Sequence, residues 1–411
     1  MEHHSHHLFE CFGIELEYMI TDQKAFDIMP VADKVLAAEA GEITSDVERG
    51  DIAWSNELVL HVIELKTNGP VKSLSGLPEK FGENIGRINH ILSNIGGCLM
   101  PTAAHPWMNP YKETVLWPHE YSIIYETYNR IFGCQGHGWS NLQSMHINLP
   151  FSGDDEFGKL HAAIRLVLPI IPSLTASSPI LNAAHGGYLD ARMLTYGKNS
   201  EIIPSIAGKI IPERAYTQKE YEERIFLPMY ADIAPYDPDG VLQHEFLNSR
   251  GAIARFDRGS IEIRVIDIQE CPRADLASAA LIISCLQHLA AETWTSLDYQ
   301  KAFEVDALAG IYGETIKSAD KAVIDNAAYL EAFGVKESKM TANGLWRHIF
   351  ENTCKPGIDM EFNSDIDFLL KKGPLARRIL YALDGDYSPN NLKKVYSSLS
   401  SCLMKNELFH G

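Results

Sequence analysis

The chain has 411 residues, 45% of them hydrophobic, and a formal net charge of −18. That length can bury a sizeable core in one large domain or two, and the negative balance argues against a non-specific nucleic-acid binder. No apolar run approaches the ~20 residues that span a bilayer, the N-terminus lacks the basic-then-apolar pattern of a secretory leader, and seven scattered cysteines without a Cys-x-x-Cys pair fit a reducing, cytoplasmic setting.

Residues 1–10 carry a cluster, His3-His4-Ser5-His6-His7, read as a flexible tail, because a short segment without surrounding structure cannot preorganise metal ligands. Strand alternation then runs over 12–20. Ile14, Leu16 and Tyr18 share one face and Glu15 and Glu17 the other, since residues two apart in a strand point the same way. A second alternating stretch covers 58–67, where Glu64 and Lys66 share a face. Glu57 lies seven residues before Glu64, an odd step that puts the two on opposite faces of a straight strand. It joins the others only from the preceding turn or past a bulge. Leu77, Phe81, Ile85, Ile88, Leu92 and Ile95 recur at steps of three and four and mark an amphipathic helix, with Pro78 near its start and Gly96-Gly97 at its end.

Over 142–149, Ser144, His146 and Asn148 face one way and Met145, Ile147 and Leu149 the other. Thr217-Gln-Lys-Glu220 is a capping box that opens a helix ending near Leu227, where Pro228 intervenes. Over 260–268 the polar face carries Ser260, Glu262 and Arg264, and Arg255 and Arg258 stand just before it. From 275 onward the stretches 275–294, 318–333, 344–352, 366–371, 375–383 and 389–405 all read as helix. Strands with crossing helices therefore precede a helical C-terminal third, an α+β order. The expected division is a tail at 1–10, a sheet region at 11–274 that carries the site, and a helical region at 275–411 packed on the same domain.

The simplest explanation of a single Glu-x-Glu is the solvated face of an amphipathic strand. Here several strands each have an apolar face and a face of metal ligands or phosphate-binding groups. If those faces meet, Glu15, Glu17, Glu57, Glu64, Glu262 and His146 form a self-repelling set that needs cations. Oxygen ligands with one nitrogen and no thiolate suit Mg²⁺ or Mn²⁺ over Zn²⁺. An arginine two residues beyond Glu262 reads as a phosphate clamp, because a planar guanidinium matches phosphate oxygens. A salt bridge to a neighbouring carboxylate is the plain alternative for Arg264, Arg255 and Arg258. Trp107, Trp117 and Trp139 are assigned to packing, and no cysteine stands beside a base or a ligand pattern.

In order along the chain, Glu15-x-Glu17, Glu57 with Glu64, His146-x-Asn148 and Glu262-x-Arg264 resemble glutamate–cysteine ligase family 2, the carboxylate–amine ligases of the glutamine synthetase superfamily. His105-Pro-Trp107, and Ser178-Pro179 followed by Arg192, are weaker likenesses. The resemblance covers residues 12–268. It implies a glutamine synthetase-like antiparallel sheet funnel with helices packed on its outer face, ATP at one mouth and an acid at the other. It implies one Mg²⁺ or Mn²⁺ ion on Glu15, His146 and Glu262 and another on Glu17, Glu57 and Glu64. Arg264 would meet the transferring phosphate, with Arg255 and Arg258 adding catalytic charge and Lys66 joining Arg264 at the nucleotide. Arg192, His105 and Asn148 would face the substrates, a packed loop histidine being the plain alternative for His105. Ser144 stands where some members have a second histidine, which favours the His-x-Asn form found in glutamate–cysteine ligases. The implied reaction is ATP-dependent amide formation through an acyl phosphate, γ-glutamyl transfer to cysteine being the family default. Two alternatives stay open: a guanidino-kinase-like phosphotransferase on the same fold, and a non-catalytic metal- or nucleotide-binding protein. The expected partners are a small acid and a small amine, with no nucleic acid or membrane. The sequence leaves open whether copies assemble into a homo-oligomer.

Overall fold

In the computed structural model, which describes residues 6–243, 247–353 and 360–411, the first alternating stretch becomes β1 (Gly13–Asp22). It is joined by β2 (Asp46–Arg49), β3 (Ile52–Asn56), β4 (Val62–Thr67), β5 (Gly97–Met100), β6 (Ser144–Pro150), β7 (Ala252–Arg255) and β8 (Ser260–Asp267). These form an eight-stranded antiparallel sheet in the order β2-β3-β4-β1-β6-β8-β7, with β5 pairing the far half of β1. The register puts Glu17 opposite Glu64, Glu15 opposite both Lys66 and His146, and Glu262 opposite Asn148. Since side chains alternate, this one register collects the polar residues on a single face.

The other face is apolar and buried: Ile14, Leu16, Tyr18, Ile63, Leu65, Met145, Ile147, Leu149, Ile261 and Ile263. Helices α1 (Leu77–Ser93), α2 (Gly153–Val167) and, later, α4 (Pro272–Ala290) contribute to the same core. Burying each such side chain contributes about 1.5–3 kcal/mol against the entropy of ordering the chain. The stretch Gly153–Thr175 is long and apolar enough to cross a bilayer by length and composition, contrary to the expectation that no run comes close. Within it, 94% of the most apolar window is buried, so the apolarity fills the protein's own core.

Other expectations are corrected. The helix after the capping box does not stop at Pro228. A π-helical turn, Glu222–Phe226, precedes Leu227–Ile233, and the wider turn accommodates a proline that has no N–H to give the preceding turn. The stretch 318–333 is not one helix. A helix α5 (Val305–Ser318) ends at Ala319, whose φ of 47° leaves helical space. Val323–Ile324 then pairs with Met340–Thr341, and Ala327–Glu331 starts anew under an Asn326 cap. The short helix α3 (Ala191–Tyr196) was not expected either. The remaining C-terminal α-helices among the described residues are Leu297–Lys301, Ala342–Thr353, Asn363–Lys372, Leu375–Leu383 and Pro389–Lys405. The last two pack with Met19, Phe26 and Met100 in a second core.

His3 and His4 of the N-terminal cluster lie outside the described residues. At His7 and Leu8 the chain is tied to Glu156: His7 Nδ1 lies 2.8 Å from Glu156 Oε1, and Leu8 N donates to Glu156 Oε2 at 3.2 Å. Cys11, Cys98, Cys134, Cys271, Cys285 and Cys402 are free thiols, and Cys354 falls outside the described residues.

Candidate active site

The polar face of the sheet forms a wall of a cavity of about 720 Å³. That wall carries side-chain hydrogen bonds between β1 and β6 and between β3 and β4. His146 Nδ1 lies 2.8 Å from Glu15 Oε2, and Asn148 Nδ2 donates to Glu15 Oε1 at 2.9 Å. Ser144 donates its N–H and its hydroxyl to Glu17 Oε2 at 2.6 and 2.9 Å. Ser55 Oγ donates to Glu64 Oε1 at 2.6 Å. Among the described residues, two sets of ligand atoms come within 4.8 Å of one another: Glu15, His146 and Glu262, and Glu17, Glu64 and His146. The first set is the one the resemblance implies. In the second, His146 stands where Glu57 was expected. Glu57 follows β3 in the turn before β4, as its odd spacing required, and lines the same cavity.

The electrostatics follow from packing like charges in a buried place. Burial, then the charge of Glu15, push Glu64 up to about 7. Burial and the charges of Glu17 and Glu64 push Glu57 well above the usual carboxylate range. Burial alone would lower His146, but its hydrogen bond to Glu15 and the charges of Glu17, Glu15 and Glu262 raise it to about 9. Burial likewise works against charge on Glu262, yet Arg264, His146 and Arg255 hold it well below the ordinary value. Such a set gains by taking up cations, and carboxylate oxygens with one imidazole match hard divalent ions.

Both arginines of the expected clamp reach the same carboxylate. Arg264 Nη2 donates to Glu262 Oε1, and Arg255 Nε and Nη2 donate to Glu262 Oε2 at 3.2 and 3.1 Å. Arg258 sits on the rim, 69% exposed, near Asp257. Lys66 lies on the other side of β1, held by Ser55 Oγ at 2.9 Å, Asp46 at 3.0 Å and Glu64 at 3.4 Å. Lys66 and Arg264 therefore flank the carboxylates on the same face of the sheet, from strands on either side of β1 and β6, and both line the cavity.

The three residues expected at the substrates separate. Arg192 does border the cavity, but it is 2% exposed and ion-paired to Asp267. Asn148 is spent on Glu15 and does not line the cavity. His105 is a correction to the substrate assignment: it is fully buried and does not line the cavity. Its Nδ1 accepts from Trp107 N at 3.3 Å and its Nε2 donates to the Phe26 carbonyl at 2.7 Å. The sequence did not single out Ser55, Asp46, Tyr125, Tyr128, Tyr196 and Asn199, which also line the cavity. Ser55 carried a usable signal, since it is two residues before Glu57, but its pairing with Glu64 depends on the register between β3 and β4. Trp117 is buried and Trp107 packs edge-on to Tyr396. Trp139 stacks on Phe132 at 5.5 Å while also bordering the cavity.

Comparison with known proteins bears on the family and the fold. The family model described as glutamate-cysteine ligase family 2 matches residues 11–312. A protein of Archaeoglobus fulgidus, described as uncharacterized, is 30% identical over 397 residues, covering 97% of this chain and 99% of its own. Among solved structures, the glutamate–cysteine ligase of Francisella tularensis in complex with AMP gives a TM-score of 0.59 at 13% identity, over 96% of this chain and 89% of that one. A bifunctional glutathione synthetase from Pasteurella multocida gives 0.58 at 12% identity, over 97% of this chain and 53% of that one. At these identities the two structures share the fold with this chain.

Proposed function

The chain belongs to glutamate-cysteine ligase family 2, and on that premise we propose that it is an ATP-dependent carboxylate–amine ligase, forming an amide with release of ADP and phosphate. The observation that carries this reading is the juxtaposition, in one cavity, of two ligand sets sharing His146 with Arg264 and Arg255 beside them. A carboxylate is a poor electrophile. Phosphoryl transfer from ATP converts it to an acyl phosphate, which an amine can attack with phosphate as the leaving group. The protein's share is positioning and charge neutralisation. Glu15, His146 and Glu262, with Glu17 and Glu64, are the residues that would hold Mg²⁺ or Mn²⁺, which would supply positive charge to offset the carboxylates and the phosphates. Arg264 would donate to oxygens of the phosphoryl group in transfer, and Arg255 would steady the same charge from the next strand. The cavity volume of about 720 Å³ falls in the range of small-molecule sites. The finer reading is γ-glutamyl transfer to cysteine, with free cysteines fitting a cytoplasmic setting.

The test is a matrix of candidate acids and amines with Mg-ATP, reading phosphate release and product mass. Amide formation coupled to ADP and phosphate supports the proposal. A phosphorylated product with no amide would replace it by a phosphotransferase. No ADP formation with any pair would leave a binding protein.

A further inference from the structure

β8 is irregular between its two functional ends. Ile263 pairs with Ile147 but Ile266 pairs with Met145, so β8 holds one residue more than β6 over that interval, a bulge that contains Arg264 and Val265. Bulges re-aim side chains, and this one has a brace on each side. Outside, Arg264 N donates to the Gly251 carbonyl at 3.0 Å. A Cβ on Gly251 would stand 2.6 Å from Val265 Cγ1, so only glycine lets the backbone come this close. Inside, Arg192 Nη1 and Nη2 reach the Arg264 carbonyl at 3.4 and 3.5 Å, while its Nε donates to Asp267 at the end of the bulge. Asp267 Oδ2 is fixed in turn by Ser177 N at 2.8 Å and Ser178 Oγ at 3.0 Å. Ser178 Oγ also accepts from Arg192 N at 3.0 Å. Arg192 and Asp267 are 2% and 0% exposed.

Every side-chain nitrogen of Arg192 thus has a protein partner, and the pair spans the bulge from its Arg264 carbonyl to the Asp267 carboxylate. We propose that Asp267 is a positioning residue that acts through Arg192 to hold the bulge and so set the direction in which the Arg264 side chain enters the cavity. The consequence for catalysis rests on the ligase reading, in which Arg264 meets the transferring phosphoryl group. A pair that served only stability would need no connection to the backbone of the residue beside Glu262; this one ends on it.

Asp267→Asn keeps the shape and an acceptor oxygen and removes the charge that orients Arg192. Assayed well below its melting temperature, it is expected to lose about 10–100-fold in kcat with a much smaller change in the KM for ATP, the pattern of a misplaced transition-state contact. Arg264→Lys in the Asp267→Asn background should then cost far less than it does alone, because residues acting as a unit are not additive. Wild-type kcat in folded Asp267→Asn, or full additivity of the two substitutions, overturns the proposal. Ser178→Ala, which removes only the hydroxyl linking Asp267 to the Arg192 backbone, provides the same cycle if Asp267→Asn does not fold. The ¹⁵N resonance of Arg264 Nε, recorded with no nucleotide or substrate added, separates this proposal from the ligase reading. It should move in both variants, and an unmoved resonance overturns the proposal. A moved resonance in a protein that joins no acid to any amine upholds the brace and overturns only the ligase reading.

Discussion

Two guanidinium groups on one carboxylate is an unusual investment of charge. Glu262 accepts from Arg264 on one oxygen and from Arg255 on the other. A lysine at 264 would keep the charge and lose the planar fork. Arg264→Lys is expected to lower kcat by about 10²–10³, the roughly 3–4 kcal/mol of one transition-state donor, with a smaller effect on the KM for ATP. Steady-state kinetics together with a melting curve decide it: a lower melting temperature with kcat intact would leave Arg264 a salt bridge and nothing more. These residues were legible in the sequence because a strand's period of two is fixed by covalent geometry, so Glu15 with Glu17 and Glu262 with Arg264 declare a shared face. Asp267 was not legible. Its place depends on a bulge, and a bulge breaks that period. For His105 the sequence leaves substrate mouth and packed loop both open, because a tripeptide carries no information about which side of it is buried.

Buried histidines tie loops to one another. His105 joins the loop after β5 to the Phe26 carbonyl, and His61, before β4, lies 2.7 Å from the Ser140 carbonyl. Both are fully buried, and burial lowers each to about 4. At His105 the geometry states the charge directly: a ring whose Nδ1 accepts from Trp107 N cannot also carry a proton there. The folded pKa lies below the unfolded value, so the stabilisation is complete above about pH 6.5 and is lost as pH falls toward 4. With a pKa unit corresponding to about 1.4 kcal/mol, His105 should remove on the order of 3 kcal/mol across that window. Chemical denaturation at several pH values should show this loss, and His105→Gln should be less stable at neutral pH but flatter between pH 6.5 and 4. An unchanged slope in that variant would count against a neutral buried ring. Element types with clear periods were legible here: α1 and the strand around His146. Helix α2 was not recognised, because its first turn is acidic and exposed while its second half is buried on every side with His161 and Arg165 included, so no single apolar face repeats along it. The break at Ala319 was hidden for another reason: alanine is a good helix former, and nothing in its side chain announces a φ of 47°.

Across the whole molecule, the clustered carboxylates oppose folding and bound cations oppose that cost. Added Mg²⁺ should raise the melting temperature, by the equivalent of about 2.7 kcal/mol at a hundred times its dissociation constant, and EDTA should reverse it. Glu64→Gln should shrink the gain from Mg²⁺ while leaving the protein without added metal at least as stable, since one repulsive charge is gone. A melting temperature indifferent to Mg²⁺ at every concentration would argue against both ligand sets. The α+β order was legible because strand-like alternation clustered before residue 275 and helical period after it. The strand order was not, because neighbours in a sheet are chosen by packing across long stretches of chain. That order also governs how the protein emerges from the ribosome. β1 is made first yet lies between β4 and β6, and β8 is synthesised long after β6. Until residues 260–267 emerge, one edge of β6 presents unpaired backbone groups flanked by Met145, Ile147 and Leu149, the kind of edge that recruits another strand. A nascent chain stalled before that point is therefore at its most adhesive. The strand that ends the hazard is the one that delivers Glu262 and Arg264, so a chain that has escaped aggregation by this route has also finished building its site.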